Sequence, residues 1–358
     1  MNFTKYLNKI IIQKNDLKSR KWAEAGTRFG LNIEAQYGSA INAPIFLLNH
    51  ILIKGIPFAY IIRYLNDYPS FFKTLLRLIS ELFLIFICFC FRIKLLWICH
   101  NVDKESKQYF PLITFIRRKL ISVYSKKIFV MDYLLVPYAV SEFPKHNKKI
   151  DSISFGIIEG SKKGQLQTEK MIKEFLENRK QYAYMQGLNF LSLLCLGTPS
   201  STKSIHFDNL VKLIKYSLKY NFLIAAIVGG NFKDNKRCNT LLNGFNSSTN
   251  IFVLKEHTIF SDIFIRNQID FYFRGYTDYS VPYTIYEAAS FGKPTLALNC
   301  GFLPEMVSYY NLGVILELNF VNLYEALNSL SKNLKLPFSE FLINKKWDSL
   351  SKKLLNLY

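Results

Sequence analysis

The chain has 358 residues, enough for two ordinary domains with cores of their own. Half of the residues are hydrophobic and 16% are aromatic, which excludes wholesale disorder. A formal net charge of +20 calls for an anionic partner: a membrane surface, a charged substrate or nucleic acid. Nucleic acid ranks third, because no binding motif of recognisable spacing is present.

Taken in chain order, Leu7 to Ile12 is predicted as a strand, and Ala43 to Ile53 as a helix broken by Gly55-Ile56-Pro57. Phe58 to Tyr64 is a strand and Phe71 to Arg92 a long helix. Within that helix, Leu82 to Phe91 (LFLIFICFCF) is half the length a membrane span needs, so a buried or interfacial helix is expected. Ile93 to Cys99 is a strand that runs into His100-Asn101; Tyr109 to Tyr124 is a helix; Lys127 to Met131 and Ile150 to Phe155 are strands. Strands spaced by helices imply βαβ units and a mostly parallel sheet. Ile157 to Gly187, charged and helix-prone, is taken as a connector. The pattern then restarts: strands at Leu188–Leu196, Phe222–Val228, Ile251–Leu254, Ile269–Phe273 and Thr295–Leu298, with a helix at Asp208–Tyr220. The C-terminal stretch has helical periodicity, with Phe341, Leu342, Trp347, Leu350 and Leu354 on one face. The expected domains are 1–160, 185–338 and a C-terminal helix at 339–358 that packs on the first domain.

No signal-peptide pattern is read at the start, and the six cysteines form no C-x-x-C pair, so buried reduced thiols in a cytoplasmic chain are expected. Candidate chemistry sits at strand ends. Gly197 is followed by a hydroxyl-rich loop and Lys203, which makes either a phosphate cradle or an ordinary capping loop. Gly229-Gly230 is a second glycine turn, with or without a ligand beside it. Glu287 is placed at the head of a helix, as a ribose ligand or a helix-dipole partner. Gly301 and Glu305 close the loop after the next strand. His100 projects from a strand end, where it can bind a sugar or phosphate, transfer a proton, or simply cap the edge.

Together these positions resemble a GT-B nucleotide-sugar glycosyltransferase, most of all glycosyltransferase family four and bacterial exopolysaccharide enzymes. The similarity runs through Ile269–Phe273, Glu287-Ala288-Ala289, Gly292-Lys293-Pro294 and Gly301 to Glu305, with Gly197 and Lys203 at the family's separation. It implies an α/β, GT-B architecture: two Rossmann-like domains facing each other across a cleft. It implies a UDP- or GDP-sugar donor bound by Gly197, Lys203, Gly229, Gly230, Glu287, the Gly301-Phe302-Leu303 loop and Glu305, without metal or other cofactor. It also implies a lipid-linked saccharide acceptor, work on a bacterial capsule, O-antigen or exopolysaccharide, and a peripheral place on the inner face of the cell membrane. Arg117-Arg118-Lys119 and Lys126-Lys127 would assist docking on anionic lipid. The sequence departs from the family at Thr198, where an arginine is usual; Arg274 is the expected substitute. It departs again at Tyr279, where a carboxylate is usual and Asp278 is one residue away, and at Phe302, where a glycine is usual. His100, Asp103 and Asp278 are the catalytic candidates, with Glu105 a second possible base. The alternative reading is a GT-B scaffold that binds a sugar nucleotide or a protein without turnover; a membrane-bound interaction protein with no nucleotide site is a third.

Overall fold

The structure is a computed structural model that describes residues 9–157, 164–197, 204–229, 243–245, 248–254, 258–332 and 336–357. It divides into two compact units. Unit 1 comprises Met1–Gly156, Tyr279–Val281 and Lys345–Tyr358; unit 2 comprises Ile157–Asp278 and Pro282–Asn344.

Unit 1 holds six parallel strands, β1 (Lys9–Ile12), β2 (Asn32–Ala35), β3 (Ala59–Ile62), β4 (Lys94–Cys99), β5 (Lys127–Val130) and β6 (Ile150–Ser152), in the order β2-β1-β3-β4-β5-β6. The central strands are continuous apolar runs because helices cover both faces of a parallel sheet. Ala43–Lys54, Phe71–Cys90 and Pro111–Tyr124 follow β2, β3 and β4 and pack side by side. Right-handed crossovers in one direction put all three on one face. Leu17–Thr27, capped by Asp16 accepting from the Ser19 N–H at 2.9 Å, packs on the Asp348–Leu355 helix.

Unit 2 also holds six parallel strands: β7 (Asn189–Leu196), β8 (Phe222–Gly229), β9 (Ile251–Leu254), β10 (Phe271–Arg274), β11 (Thr295–Leu298) and β12 (Gly313–Leu316). Their order is β12-β11-β10-β7-β8-β9. Alternate residues feed two cores. Leu193, Cys195 and Phe273 join one cluster, and Leu194 and Tyr272 join the other.

Both expected halves are α/β, and each element named from the sequence has a counterpart in the described residues. Three readings need correction. Residues 157–187 are not a free connector: the Leu166–Met185 helix buries Ile172 and Leu176 in a unit 2 core, which moves that domain's start. The C-terminal stretch is two helices, not one. Phe338–Asn344 packs on Tyr283–Ser290 in unit 2, and Asp348–Leu355 belongs to unit 1. Between them Lys345 pairs with buried Asp132 at 2.5 Å, and Trp347 packs on Trp22 and Phe155, so the chain leaves helical geometry there. Arg117 and Arg118 are not surface charges: both are buried in ion pairs. As expected, Cys88, Cys99 and Cys195 are buried, and burial pushes each thiol up to about 12; Cys90 is exposed.

Candidate functional site

In unit 2 the chain lays β7, β8 and β9 outward, then returns to place β10 on the other flank of β7. Open α/β sheets take their ligands where the strand order reverses, at the carboxyl ends of the strands. That point lies between β7 and β10, and Gly197 and Arg274 stand at the ends of those two strands.

Arg274 is 1% exposed. Its Nη1 donates to the Leu196 carbonyl and, at 3.0 Å, to the Tyr276 hydroxyl. Among the described residues no acceptor meets its Nε or Nη2, and no carboxylate pairs with it. A buried guanidinium without a counter-charge is costly, so its surroundings are suited to an anion. Gly197 belongs to the same arrangement: a Cβ there would collide with the Tyr276 hydroxyl and sit 3.5 Å from Arg274 Nη1. Gly229, bonded through its carbonyl to the Gly197 N–H at 2.8 Å, is likewise crowded by Leu196 and Leu254.

Gly301 follows β11 with φ +64°, the left-handed region that favours glycine, and packs on the backbone of Tyr276, Thr277 and Asp278 within 2.9 Å of a built Cβ. The Phe302 N–H donates to the Asp278 carbonyl at 3.4 Å, joining the two loops. Asp278 itself is buried, and beside it burial pushes the Cys300 thiol up to about 11, Asp278 adding to the rise. Phe302 and Leu303 are buried as well, so only their backbone can face a ligand, while Glu305 lies exposed in the first turn of Leu303–Tyr309.

Glu287 is not at the head of its helix. Tyr283–Ser290 begins a full turn earlier, after Pro282, and Glu287 lies alongside the sheet, accepting from the Tyr272 hydroxyl at 3.4 Å. Burial, then Glu287, raises the Tyr272 phenol well above its ordinary value, while Arg274 opposes the rise; both charges therefore act on one hydroxyl. The sequence reading missed Tyr272, Tyr276 and Thr284. The Thr284 hydroxyl, in the first turn of the Glu287 helix, is buried with no partner among the described residues. Lys203 and Gly230 lie outside the described residues.

In unit 1, His100 directly follows β4 and stacks between Tyr64 (4.6 Å, 12°) and Phe155 (6.2 Å, 16°). Its Nε2 is shut off from solvent and lacks a partner among the described residues. Burial, then the charges of Arg63, Lys18 and Lys14, hold the imidazole well below its ordinary value. The folded state therefore resists protonation, and this contribution to stability is present above the unfolded value near 6.5 and lost as pH falls below it. His100→Phe, which keeps the stack, is expected to flatten the loss of stability between about pH 6.5 and 5. Urea unfolding at stepped pH checks this, and identical slopes would exclude His100 as the group. Asp103 is exposed; its carboxylate accepts from the Tyr279 N–H at 3.1 Å and pairs with Lys104. Glu105 is not available as a base: it is buried, bonded to Arg118 at 2.7 Å and to the Leu65 N–H at 3.4 Å.

No protein-family model matches the chain, and no curated protein matches it. Solved structures do. Sucrose-phosphate synthase from Thermosynechococcus elongatus is 12% identical, with 98% of each chain covered and a TM-score of 0.63. The catalytic domain of starch synthase IV from Arabidopsis thaliana, solved with ADP and acarbose, is 12% identical over 99% of each chain, with a TM-score of 0.62. UDP-GlcNAc 2-epimerase from Methanocaldococcus jannaschii, solved with UDP-GlcNAc and UDP, is 13% identical over 98% of this chain and 99% of its own, with a TM-score of 0.55. At these identities the likeness speaks for architecture alone, and with the two reversed-order parallel sheets it makes this a GT-B-fold protein.

Proposed function

We propose that the chain is a glycosyltransferase that moves a sugar from a UDP- or GDP-sugar to a lipid-linked saccharide, in building a bacterial surface polysaccharide at the cytoplasmic face of the membrane. The observation that carries the reading is Arg274: a buried guanidinium with two open N–H donors, at the strand-order reversal of the unit 2 sheet. A nucleoside diphosphate supplies the missing negative charge in a form that a planar guanidinium can grip with paired hydrogen bonds.

In this reading Arg274, with Lys203, takes the diphosphate. Gly197, Gly229 and Gly301 let the backbone come close, and the Thr284 hydroxyl donates to a phosphate oxygen. Glu287 accepts from the ribose hydroxyls while Tyr272 holds its carboxylate in place. The bond between the sugar's anomeric carbon and the phosphate oxygen breaks, and the electron pair leaves with the nucleoside diphosphate. Donors fixed on that leaving group stabilise its growing charge, and the scheme needs no metal. The acceptor hydroxyl forms the new bond and gives its proton to a carboxylate, for which Asp103 and Asp278 are the proposed groups. Neutral His100, held between Tyr64 and Phe155, is the proposed acceptor-side group of unit 1.

A panel of nucleotide sugars tests the reading, first by thermal shift and then by radiolabel transfer to lipid extract. At least one UDP- or GDP-sugar is expected to raise the melting temperature and to label a lipid, with Glu287→Ala losing both responses. Binding without transfer would favour the non-catalytic scaffold, and no shift with any nucleotide would overturn the donor site.

A further inference from the structure

The Phe71–Cys90 helix is apolar on its outer side along its whole length. Its inward face buries Thr74, Arg77, Ser80 and Glu81 in the first half and Leu84, Ile85, Ile87 and Cys88 in the second, and its outward face carries Phe72, Leu76, Ile79, Phe83, Phe86 and Phe89, all exposed. Phe72 is 72% and Phe89 79% accessible to solvent. The outward positions recur at three- and four-residue spacing, so they form one stripe along the whole helix. Its neighbours extend the stripe. Leu52 and Ile53 stand out from Ala43–Lys54, and Leu112 and Phe115 from Pro111–Tyr124. Unit 2 shows the ordinary arrangement: Leu323–Ser331 buries Leu323, Ala326, Leu327 and Leu330 and turns Glu325 outward. Exposed apolar side chains on three helices packed side by side mark an interaction site.

We infer that this face docks on an anionic lipid bilayer, with the Phe71–Cys90 helix lying in the interface plane. Charge decides between a bilayer and a protein. The three helices carry a single acidic residue, Glu81, and it is buried in an ion pair; Lys73 and Lys119 are exposed on the outward faces beside the apolar stripe. Lysines at the level of phenylalanines suit the boundary of acyl chains and phosphate headgroups, where their stems lie along apolar surface and their ammonium groups reach the phosphates. No helix among the described residues is long and apolar enough to cross a membrane, which fits a helix that carries Arg77 and Glu81 on its inward face. The inference deepens the proposed function, because a lipid-linked acceptor would be met at the same surface.

Flotation with phosphatidylglycerol-containing vesicles and with pure phosphatidylcholine vesicles tests it on the full chain. The protein is expected to float with the anionic vesicles far more than with the neutral ones. Phe72→Ser/Phe86→Ser/Phe89→Ser should weaken that binding more than about tenfold. Lys73→Glu/Lys119→Glu should weaken it by at least about fivefold for each lysine. Both variants should retain the thermal shift given by the nucleotide sugar, which separates failure of this surface from failure of the donor site. If the triple variant does not fold, the lysine variant alone carries the test. Flotation of either variant like the wild type, equal binding to neutral vesicles, or a wild-type dimer in light scattering that the triple variant abolishes without any vesicle binding would each overturn the inference.

Discussion

Arg274→Met is expected to abolish the response to nucleotide sugar while leaving the unliganded protein as stable as before, or more so. The two effects have one origin. In the free protein the guanidinium is 1% exposed and faces no carboxylate among the described residues, so it is held at the expense of its hydration. An apolar side chain of similar length removes that penalty, and such replacements of buried charges are neutral or stabilising by about 1–4 kcal/mol. Some of the gain is offset by losing the bonds to the Leu196 carbonyl and the Tyr276 hydroxyl, about 1 kcal/mol each. In the complex the sign reverses. Two charge-assisted hydrogen bonds to a diphosphate amount to about 3 kcal/mol or more, so affinity should fall by roughly a hundredfold or beyond. Calorimetric titration and a melting curve, run on the same preparation, read both halves. A melting temperature that drops by several degrees with affinity intact would mark Arg274 as a structural clamp instead.

Glu81→Ala should be the most destabilising change of a single side chain in unit 1. Arg117 grips Glu81 with two bonds of 2.7 Å and Asp67 with one of 2.8 Å, and Arg77 adds a bond to Glu81 at 3.0 Å. Asp67 in turn accepts from the Tyr109 and Phe110 N–H groups and from the Thr114 hydroxyl. The four charges cancel, and removing Glu81 leaves two buried guanidiniums against one carboxylate. Breaking a buried set in this way costs about 3–5 kcal/mol, a large part of the stability of an ordinary domain. Burial alone would raise the Glu81 carboxyl, but Arg117 and then Arg77 pull it below its ordinary value. Its contribution is therefore present above the unfolded value near 4.5 and disappears as pH falls through the lower folded value. Urea unfolding at neutral pH should register the loss in Glu81→Ala, and the difference from wild type should shrink on strong acidification. A cost below about 1 kcal/mol would show that the set is solvated. The network also reaches a candidate site residue: Arg77 donates to the Tyr64 carbonyl, and Tyr64 is the ring on which His100 stacks.

Strands were legible in the sequence where burial on both faces writes an unbroken apolar run, as in Leu95–Cys99 and Phe222–Val228. The edge strands β2 and β12 were not. Asn32–Ala35 fully buries one residue, Ile33, and Gly313–Leu316 one, Leu316, so neither carries a pattern to read. The Phe71–Cys90 helix shows the limit of periodicity. Its span was correct within two residues, yet apolar spacing cannot say whether the stripe points into the protein or away from it. Direction is settled by Arg77 and Glu81 meeting Arg117, 36 residues from Glu81 along the chain. The same distance problem made Arg117-Arg118 look like a solvent-facing basic patch. At the candidate site, glycines at strand ends and the glutamate helix were visible by spacing. The Tyr272 and Tyr276 contacts depend on strands β10 and β7 being neighbours, which no local pattern records.

Unit 1 is interrupted in sequence: Trp347 fits against Trp22, Phe155 and the backbone at Gly156, where a Cβ would overlap its ring, and Lys353 reaches Asp151 at 2.7 Å. During synthesis these closing residues emerge from the ribosome only after the whole of unit 2. The Met1–Gly156 part of unit 1 must therefore wait with an open seam, while unit 2, nearly contiguous in sequence, can reach its native state earlier. Vectorial production thus reverses the usual N-to-C maturation, and the waiting half is the stage at which a chaperone has most to protect.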